Sequence, residues 1–223
     1  MTTVVRSTRV EPSGWEVGMH VVPLPGGASL VFSPTWLGEG TFERVLAHGE
    51  PAVLVAPNHY HHMSMKRFRE RFPAARAVTS TTAAPRLVRQ GHTGLGAVTD
   101  VTSLLPGGAR LIEAPFTKNG ETLLSLETEH GRTWIVCDAF FHVTRPTTGA
   151  MGVALRMLNT TPGLRVGRTY RWLAVADRAR YLDWMSGLVK DERPRAIQFA
   201  HGEPLVADDL ADLLLEAARV GLG

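Results

Sequence analysis

Three histidines, His59, His61 and His62, lie within four positions of one another. They follow an apolar run, residues 52–56, which Pro57 ends because proline donates no backbone hydrogen bond to a central strand. Neutral imidazole is the commonest metal ligand in proteins, and free histidine titrates near neutral pH. The cluster therefore predicts a metal site or a general base, and the alternative is a solvent-exposed polar loop.

The histidines belong to a loop that leaves the end of a predicted strand. Residues 52–56 are small or apolar throughout, as expected of a buried strand. Ligands of α/β proteins usually bind beyond the carboxyl ends of the strands. Asn58 and Tyr60 share this loop, so both are predicted to contact a substrate.

Two further residues with metal-binding side chains stand at the ends of predicted strands. Asp138 follows the apolar residues 133–137, and His201 follows residues 196–200. Imidazole nitrogen and carboxylate oxygen together suit zinc, iron or manganese. If the strand ends meet, these side chains form a metal site, and Gly202 permits the close backbone approach that such a site needs. The alternative for His201 is a core histidine with ordinary hydrogen bonds.

The order of predicted elements indicates how these residues are positioned. Residues 1–15 are polar and predict an irregular lead-in, after which a hairpin is expected before residue 34. Strands and helices follow, with three strands within residues 109–138 and a long helical pattern over residues 167–189. We predict two sheets packed face to face with helices outside. This is a four-layer αββα sandwich, formed by a single domain spanning residues 1–223.

Composition excludes several classes of protein. The chain has 223 residues, a net charge of +3 and 20% charged residues, which is ordinary for a soluble globular protein. The sequence contains no run of eighteen apolar residues and no apolar leader, so we expect a cytoplasmic protein without a membrane partner. The single cysteine, Cys137, lies in an apolar strand and is expected to pack in the core rather than act as a nucleophile.

Basic residues are clustered rather than spread evenly. One cluster spans residues 66–76 and another spans residues 165–180. Either cluster could attract an anionic small-molecule substrate or a phosphate backbone, and the alternative is a solvated helix face. Aromatic residues do not alternate with these arginines as they do in stacking platforms for single strands, so nucleic acid is not the expected partner.

Four segments resemble the metallo-β-lactamase fold superfamily, over most of the chain. They are LVAPNHYHHM at 54–63, APFTKNGETLLSL at 114–126, RTWIVCDAFF at 132–141 and IQFAHGEPL at 197–205. The first segment has PN-x-x-HH where the family has H-x-H-x-D-H. The resemblance implies one or two metal ions, with Asp138 as the bridging aspartate and His201 as the final histidine.

The chain also departs from the family pattern. Phe116 replaces the histidine of the family's Gly-His-Thr, which implies that the first metal site is lost and leaves Phe116 to contact a substrate. In one register His59 matches the second family histidine, His61 the aspartate and His62 the last histidine. The other register places Asn58 and Tyr60 on the two leading histidine positions. The first register implies a second site formed by His61, His62, Asp138 and His201.

Two functions remain open at this stage. One is a metal-dependent hydrolase with a degenerate, mononuclear site, in which zinc is the first choice and iron or manganese are alternatives. A bound ion activates water, and His61 or a neighbouring histidine accepts the proton. The other is a metal-free protein of the same fold that binds a ligand or catalyses through histidine. Phe116 favours the second function.

Overall fold

We describe the chain from a computed structural model, which covers residues 2–11, 16–144, 149–160 and 162–223. Within these residues it contains strands and helices in mixed order. The strands are β1 (Val5–Val10), β2 (Glu16–Pro23), β3 (Ser29–Phe32), β4 (Pro51–Ala56), β5 (Arg76–Thr79), β6 (Gly96–Ala97), β7 (Arg110–Glu113), β8 (Thr122–Thr128), β9 (Gly131–Val136), β10 (Phe141–Val143), β11 (Gly163–Arg165), β12 (Ala196–Phe199) and β13 (Leu205–Val206). The α-helices are α1 (Thr41–Leu46), α2 (Met65–Arg71), α3 (Ala84–Arg89), α4 (Gly149–Met157), α5 (Arg178–Glu192) and α6 (Leu210–Leu222).

The first six strands form one sheet in sequence order. Strands β1 to β3 are antiparallel, whereas β3 to β6 are parallel and are connected through the helices α1, α2 and α3. The predicted hairpin is confirmed as β2 and β3. The predicted irregular lead-in is wrong, because β1 pairs with β2 along its whole length. Its side chains are half-buried or exposed, as at many sheet edges, so the segment lacks the apolar pattern of a central strand.

The second sheet has five strands in the order β13-β12-β9-β8-β7. Strand β12 pairs with β9 in parallel, and the other neighbours are antiparallel. Because β9 and β12 run side by side in the same direction, the residues that follow them leave the sheet at the same edge. Asp138 and His201 are therefore brought together by strand pairing, although 63 positions separate them in the chain.

Three separate cores define four layers. One core lies between the two sheets, where Phe32 and Val55 meet Ile135. A second lies between the first sheet and its helices, and a third lies between the second sheet and helices α5 and α6. Along β4, Val53 and Val55 enter the central core while Leu54 and Ala56 enter the outer one, which is the period of two that a strand imposes. The predicted αββα sandwich is confirmed.

The helical pattern over residues 167–189 is not a single helix. A π-helical turn covers Tyr170–Ala174, and α5 begins only after Asp177, whose side chain accepts a hydrogen bond from the backbone of Arg180. An aspartate at the position before a helix satisfies free N–H groups, so Asp177 starts a new helix rather than continuing an old one. No helix in the described parts of the chain is long and apolar enough to cross a membrane.

Candidate metal centre

Three predicted site residues converge where the loop after β4 meets the ends of β9 and β12. His61 Nε2 lies 3.3 Å from Asp138 Oδ1, and His201 Nε2 lies 3.6 Å from the same oxygen. The two Nε2 atoms are 3.1 Å apart. The three side chains, His61, Asp138 and His201, are called the triad below. Each is mostly buried, so water screens the triad only weakly.

Hydrogen bonds hold the outer nitrogen, Nδ1, of both triad histidines. The inner nitrogen of each ring is Nε2. His201 Nδ1 lies 2.7 Å from the carbonyl oxygen of Glu16, which can only accept, so Nδ1 donates and the lone pair of neutral His201 is on Nε2. His61 Nδ1 lies 3.0 Å from Ser33 Oγ. Gly202 lets His201 fit here, because a Cβ at that position would lie 2.2 Å from the carbonyl oxygen of His142. The inner nitrogens therefore face Asp138 and each other.

Asn58 folds the histidine loop and ties it to the triad. Its Oδ1 accepts hydrogen bonds from the backbone N–H groups of Tyr60 and His61, at 2.8 and 3.1 Å. Its Nδ2 donates to Asp138 Oδ2 at 2.8 Å and to Glu121 Oε2 at 2.7 Å. The side chain is fully buried. Asn58 is thus positioned to orient His61 and Asp138 rather than to contact a substrate directly.

Glu121 is a buried carboxylate behind the triad that the sequence did not indicate. Its Oε1 accepts hydrogen bonds from the backbone N–H groups of Asp138, at 2.8 Å, and Ala139, at 3.3 Å. Its Oε2 also accepts from Asn119. These contacts fix the backbone of the turn that carries Asp138. The residue directly precedes the apolar strand β8, and no motif spacing marks it as functional.

Opposing charges at the triad shift the pKa values in opposite directions. Burial alone would raise the pKa of Asp138, but the neighbouring histidines outweigh it and lower that pKa below its usual range. Burial likewise opposes protonation of His61, yet Asp138 and then Glu121 raise the pKa of His61. Burial and the charge on His61 lower the pKa of His201 to about 4, and burial with the charge on Asp138 raises the pKa of Glu121. Without a metal ion, these directions favour a protonated His61 beside an ionised Asp138 and a neutral His201.

Comparison with solved structures identifies the architecture. The metallo-β-lactamase from Hirschia baltica superposes with a TM-score of 0.63 at 9% identity, over 97% of this chain and 93% of that chain. FIM-1 from Pseudomonas aeruginosa, in its mono-zinc form, gives a TM-score of 0.60 at 11% identity, over 98% and 91%. A flavo di-iron protein mutant from Thermotoga maritima gives 0.61 at 15% identity, over 97% of this chain and 57% of that one. The chain has the metallo-β-lactamase fold. No protein-family model and no curated protein matches the sequence.

His59 and His62 lie in the same loop but outside the triad. His62 Nδ1 lies 2.7 Å from Nε2 of His92, a buried residue that the sequence did not single out. His59 is also buried, its ring lies 4.2 Å from that of Tyr60, and neither of its nitrogens has a hydrogen-bond partner among the residues that the structure describes. The pKa of both His59 and His62 is lowered, and burial makes the largest contribution.

Phe116 is the residue that the sequence resemblance matches to a family histidine. Its backbone is in the left-handed region, with φ of 59°. Its ring lies under the guanidinium of Arg180, with Cζ 4.1 Å from the ring centroid. A phenyl ring offers no lone pair to a metal, so this position cannot complete a second ion site.

Cys137 lies in the core beside the triad. Its sulfur, one ligand atom of His61 and one ligand atom of Asp138 all lie within 4.8 Å of one another. The thiol is nevertheless fully buried, and burial first, then the nearby carboxylates, raise its pKa well above the ordinary value. Only the thiolate is a good ligand or nucleophile, so the thiol form fits the predicted packing role.

Two cavities meet at the triad. One, of about 230 Å³, is lined mainly by apolar and aromatic side chains and includes His61 and Asp138. The other, of about 300 Å³, includes His61, His201, Ser33 and Arg9. Tyr60, which is 45% exposed, lines both cavities. A contact between Tyr60 and a substrate stays a prediction.

Proposed function

We propose that this protein is a metal-dependent hydrolase with a mononuclear site formed by His61, Asp138 and His201. The observation that carries this proposal is the spacing of three ligand atoms, which lie 3.1, 3.3 and 3.6 Å apart. Ligands at the corners of a tetrahedron, each about 2.0–2.1 Å from zinc, are about 3.3–3.4 Å apart. The three ligand atoms are therefore spaced much as they would be around a zinc ion, which supports the proposal.

The donor set also fits a catalytic rather than a structural site. Structural zinc sites usually have four protein ligands, whereas catalytic sites have three and keep one position open. Zinc is the first choice for two imidazoles and a carboxylate, and iron or manganese are the alternatives. A bound ion would lower the pKa of a water molecule toward about 7 and polarise a carbonyl or phosphoryl oxygen. The two cavities beside the triad support a small molecule as the substrate.

The residues around the triad would prepare it for an ion. The Glu16 carbonyl and Ser33 hold the two imidazoles by their outer nitrogens, as carbonyls and hydroxyls do around metal-bound histidines. Asn58 orients Asp138, which is the only formal negative charge among the three ligands. In this proposal His62 pairs with His92 instead of joining the ligands, and Phe116 leaves the family's other ion site incomplete.

A metal-free function is the second candidate, and the His61–Asp138 ion pair favours it. The raised pKa of His61 and the lowered pKa of Asp138 favour an ion pair between them, so the charge of Asp138 can be balanced without an added cation. His61 would then act as the general acid or base, with Asp138 orienting its ring as a carboxylate does in a catalytic triad. Phe116 is consistent with this candidate as well.

Metal analysis combined with hydrolase assays separates the two candidates. The protein would be purified without chelator, analysed for metal, and assayed on esters, thioesters, lactams and phosphodiesters with and without zinc, manganese or iron. We expect about one ion per chain and hydrolysis that a chelator abolishes and the ion restores. The matched variants are His61→Gln, which should lose the ion, and His62→Gln, which should keep it. A protein that hydrolyses substrates equally well after complete metal removal would support the metal-free candidate instead.

A further inference from the structure

We propose that the cavity lined by Tyr60, Phe141, Tyr170, Leu173 and Ala174 binds the acyl group of a carboxylic ester or thioester, and that this group is apolar and compact. This inference rests on the proposed hydrolase function and names its substrate class. The cavity, called the acyl pocket below, also includes His61, Asp138 and Thr169. Its apolar wall and the triad therefore face the same space.

Aromatic rings form part of the wall of the acyl pocket. The hydroxyl of Tyr170 lies 2.9 Å from that of Tyr181 in the buried core, which leaves the aromatic ring of Tyr170 to line the pocket. Phe141 stacks on His201 with ring centroids 5.9 Å apart and an interplanar angle of 20°. An apolar group could therefore pack against these rings and against Leu173 and Ala174. Such pockets, with few convergent polar groups, are typical of small-molecule sites.

The volume of the acyl pocket limits the size of the group. An apolar cavity of about 150 Å³ is large enough for benzene. The acyl pocket, at about 230 Å³, has room for a phenylacetyl group or a chain of moderate length such as hexanoyl, and too little for a long fatty acyl chain. Leu173 is 61% exposed at the pocket, so a large apolar side chain faces solvent until a substrate covers it.

The second cavity fits the other half of the substrate. It shares Tyr60 and His61 with the acyl pocket and is about 300 Å³ in volume. Its lining includes Ser33, Thr35, Ser64 and the Arg9–Glu11 ion pair together with the apolar side chains of Val17, Pro34, Trp36 and Met63. This mixed lining leaves room for the alcohol or thiol half of the substrate. The bond to be cleaved would then lie beside the triad, between the two cavities. In the reaction, the oxygen of water adds to the acyl carbon and the bond to the alcohol or thiol breaks. The products are a carboxylate, the alcohol or thiol, and one proton released to solvent.

The first test is the acyl preference of the metal-loaded protein toward p-nitrophenyl esters of acetate, hexanoate, phenylacetate and palmitate. We expect kcat/KM for hexanoate and phenylacetate to exceed that for acetate and palmitate by at least tenfold. Leu173→Asp should reduce the ratio of hexanoate to acetate about tenfold, because it places a charge at the acyl pocket. The matched control is Leu213→Asp, at a partly exposed leucine of α6, which should leave the ratio unchanged.

The second test does not depend on turnover and separates this inference from the hydrolase proposal. Calorimetry would measure the binding of hexanoate, phenylacetate and acetate ions to wild type, Leu173→Asp and Leu213→Asp. Preferential binding of hexanoate or phenylacetate that only Leu173→Asp weakens supports the acyl pocket, even if no ester is hydrolysed. Hydrolysis of all four esters at similar rates, or equal binding of all three ions, would overturn the acyl pocket while leaving the hydrolase proposal in place.

Discussion

His61 and His62 are adjacent in the chain, yet their environments are opposite. His61 meets a carboxylate and a second imidazole at the ends of β9 and β12, and Asp138 raises its pKa against the effect of burial. His62 meets another imidazole, that of His92, and burial followed by the charge on His92 lowers its pKa. A positive charge is therefore favoured at His61 and disfavoured at His62.

A metal-binding site requires a matching charge as well as donor atoms. Both histidines offer a nitrogen within hydrogen-bond distance of another imidazole nitrogen. Only the site of His61 also has Asp138, and Asp138 is itself fixed by Asn58 and by the contact between Glu121 and its backbone N–H. The carboxylate and its supports therefore distinguish the candidate metal centre from an incidental histidine pair.

Asp138→Asn should have the largest effect on metal binding. The substitution keeps the shape of the side chain but removes the only negative charge among the three ligands. Replacing a group that merely supports a ligand costs about 10–100-fold in metal affinity, so loss of the charged ligand should cost more than about 100-fold. Competition titration with a zinc indicator measures this change. Unaltered affinity in a folded Asp138→Asn protein would make Asp138 a structural residue and refute the metal site.

Glu121→Gln should have the next largest effect, through the position of Asp138. The amide retains one acceptor oxygen but places an NH₂ group where Glu121 accepts hydrogen bonds from Asn58 or from the backbone. We expect zinc affinity to fall about 10–100-fold. Glu127→Gln, at an exposed glutamate in β8, is the matched control and should bind zinc as wild type does. Equal losses in the two variants would indicate a general effect of charge rather than positioning.

His20 extends the comparison to a histidine without a carboxylate. It is fully buried opposite Phe32, and neither ring nitrogen has a partner among the described residues. Burial, followed by the charge on Arg6, lowers the pKa of His20 to about 3. Below the unfolded value of about 6.5, the unfolded chain takes up a proton that native His20 does not, so stability falls as the pH decreases.

His20→Leu should remove this part of the pH dependence. The gap in unfolding free energy between variant and wild type should widen, in favour of the variant, by about 1.4 kcal/mol per pH unit below about pH 6.5. Urea denaturation of the metal-free proteins at several pH values from neutral to mildly acid measures the gap. If the unfolding free energies of variant and wild type changed equally with pH, native His20 would take up a proton as readily as the unfolded chain does.

His62→Gln should have the smallest effect. Because His62 contacts His92 rather than the triad, the variant should change zinc affinity less than about threefold, which is well below the cost of losing a supporting residue. The same zinc titration applies. A loss comparable to that of Asp138→Asn would place His62 among the ligands, as the family motif implies, and would require its ring to turn away from His92 when the ion binds.

Much of the fold could be predicted from the sequence, because its central strands are buried on both faces. Residues 52–56 are apolar for that reason, and the strand ends at Pro57 as expected. Strand β1 could not be recognised, because its half-buried and exposed side chains leave no periodic apolar pattern. The break in the helical pattern over residues 167–189 could not be recognised either. Asp177 caps a new helix, and the spacing of apolar residues does not distinguish such a cap from a polar residue inside one helix.

Only those residues of the candidate site that follow predicted strands could be predicted from the sequence. His61, Asp138 and His201 were found because each follows an apolar strand, and the pairing of β9 with β12 brings two of them together. Sequence spacing could not decide which neighbouring histidine turns toward Asp138, since that depends on the turn that Asn58 closes. Glu121, Ser33 and His92 come from separate segments and carry no motif, so their contacts became visible only in three dimensions.

The most direct test of the metal site is a crystal structure of the protein grown with zinc, with anomalous diffraction recorded on both sides of the zinc absorption edge. We expect one strong anomalous peak, bonded to His61 Nε2, Asp138 Oδ1 and His201 Nε2, and none between His62 and His92. An anomalous peak at the His62–His92 pair with the triad still closed by its own hydrogen bonds, or no peak at either place at saturating zinc, would contradict this expectation.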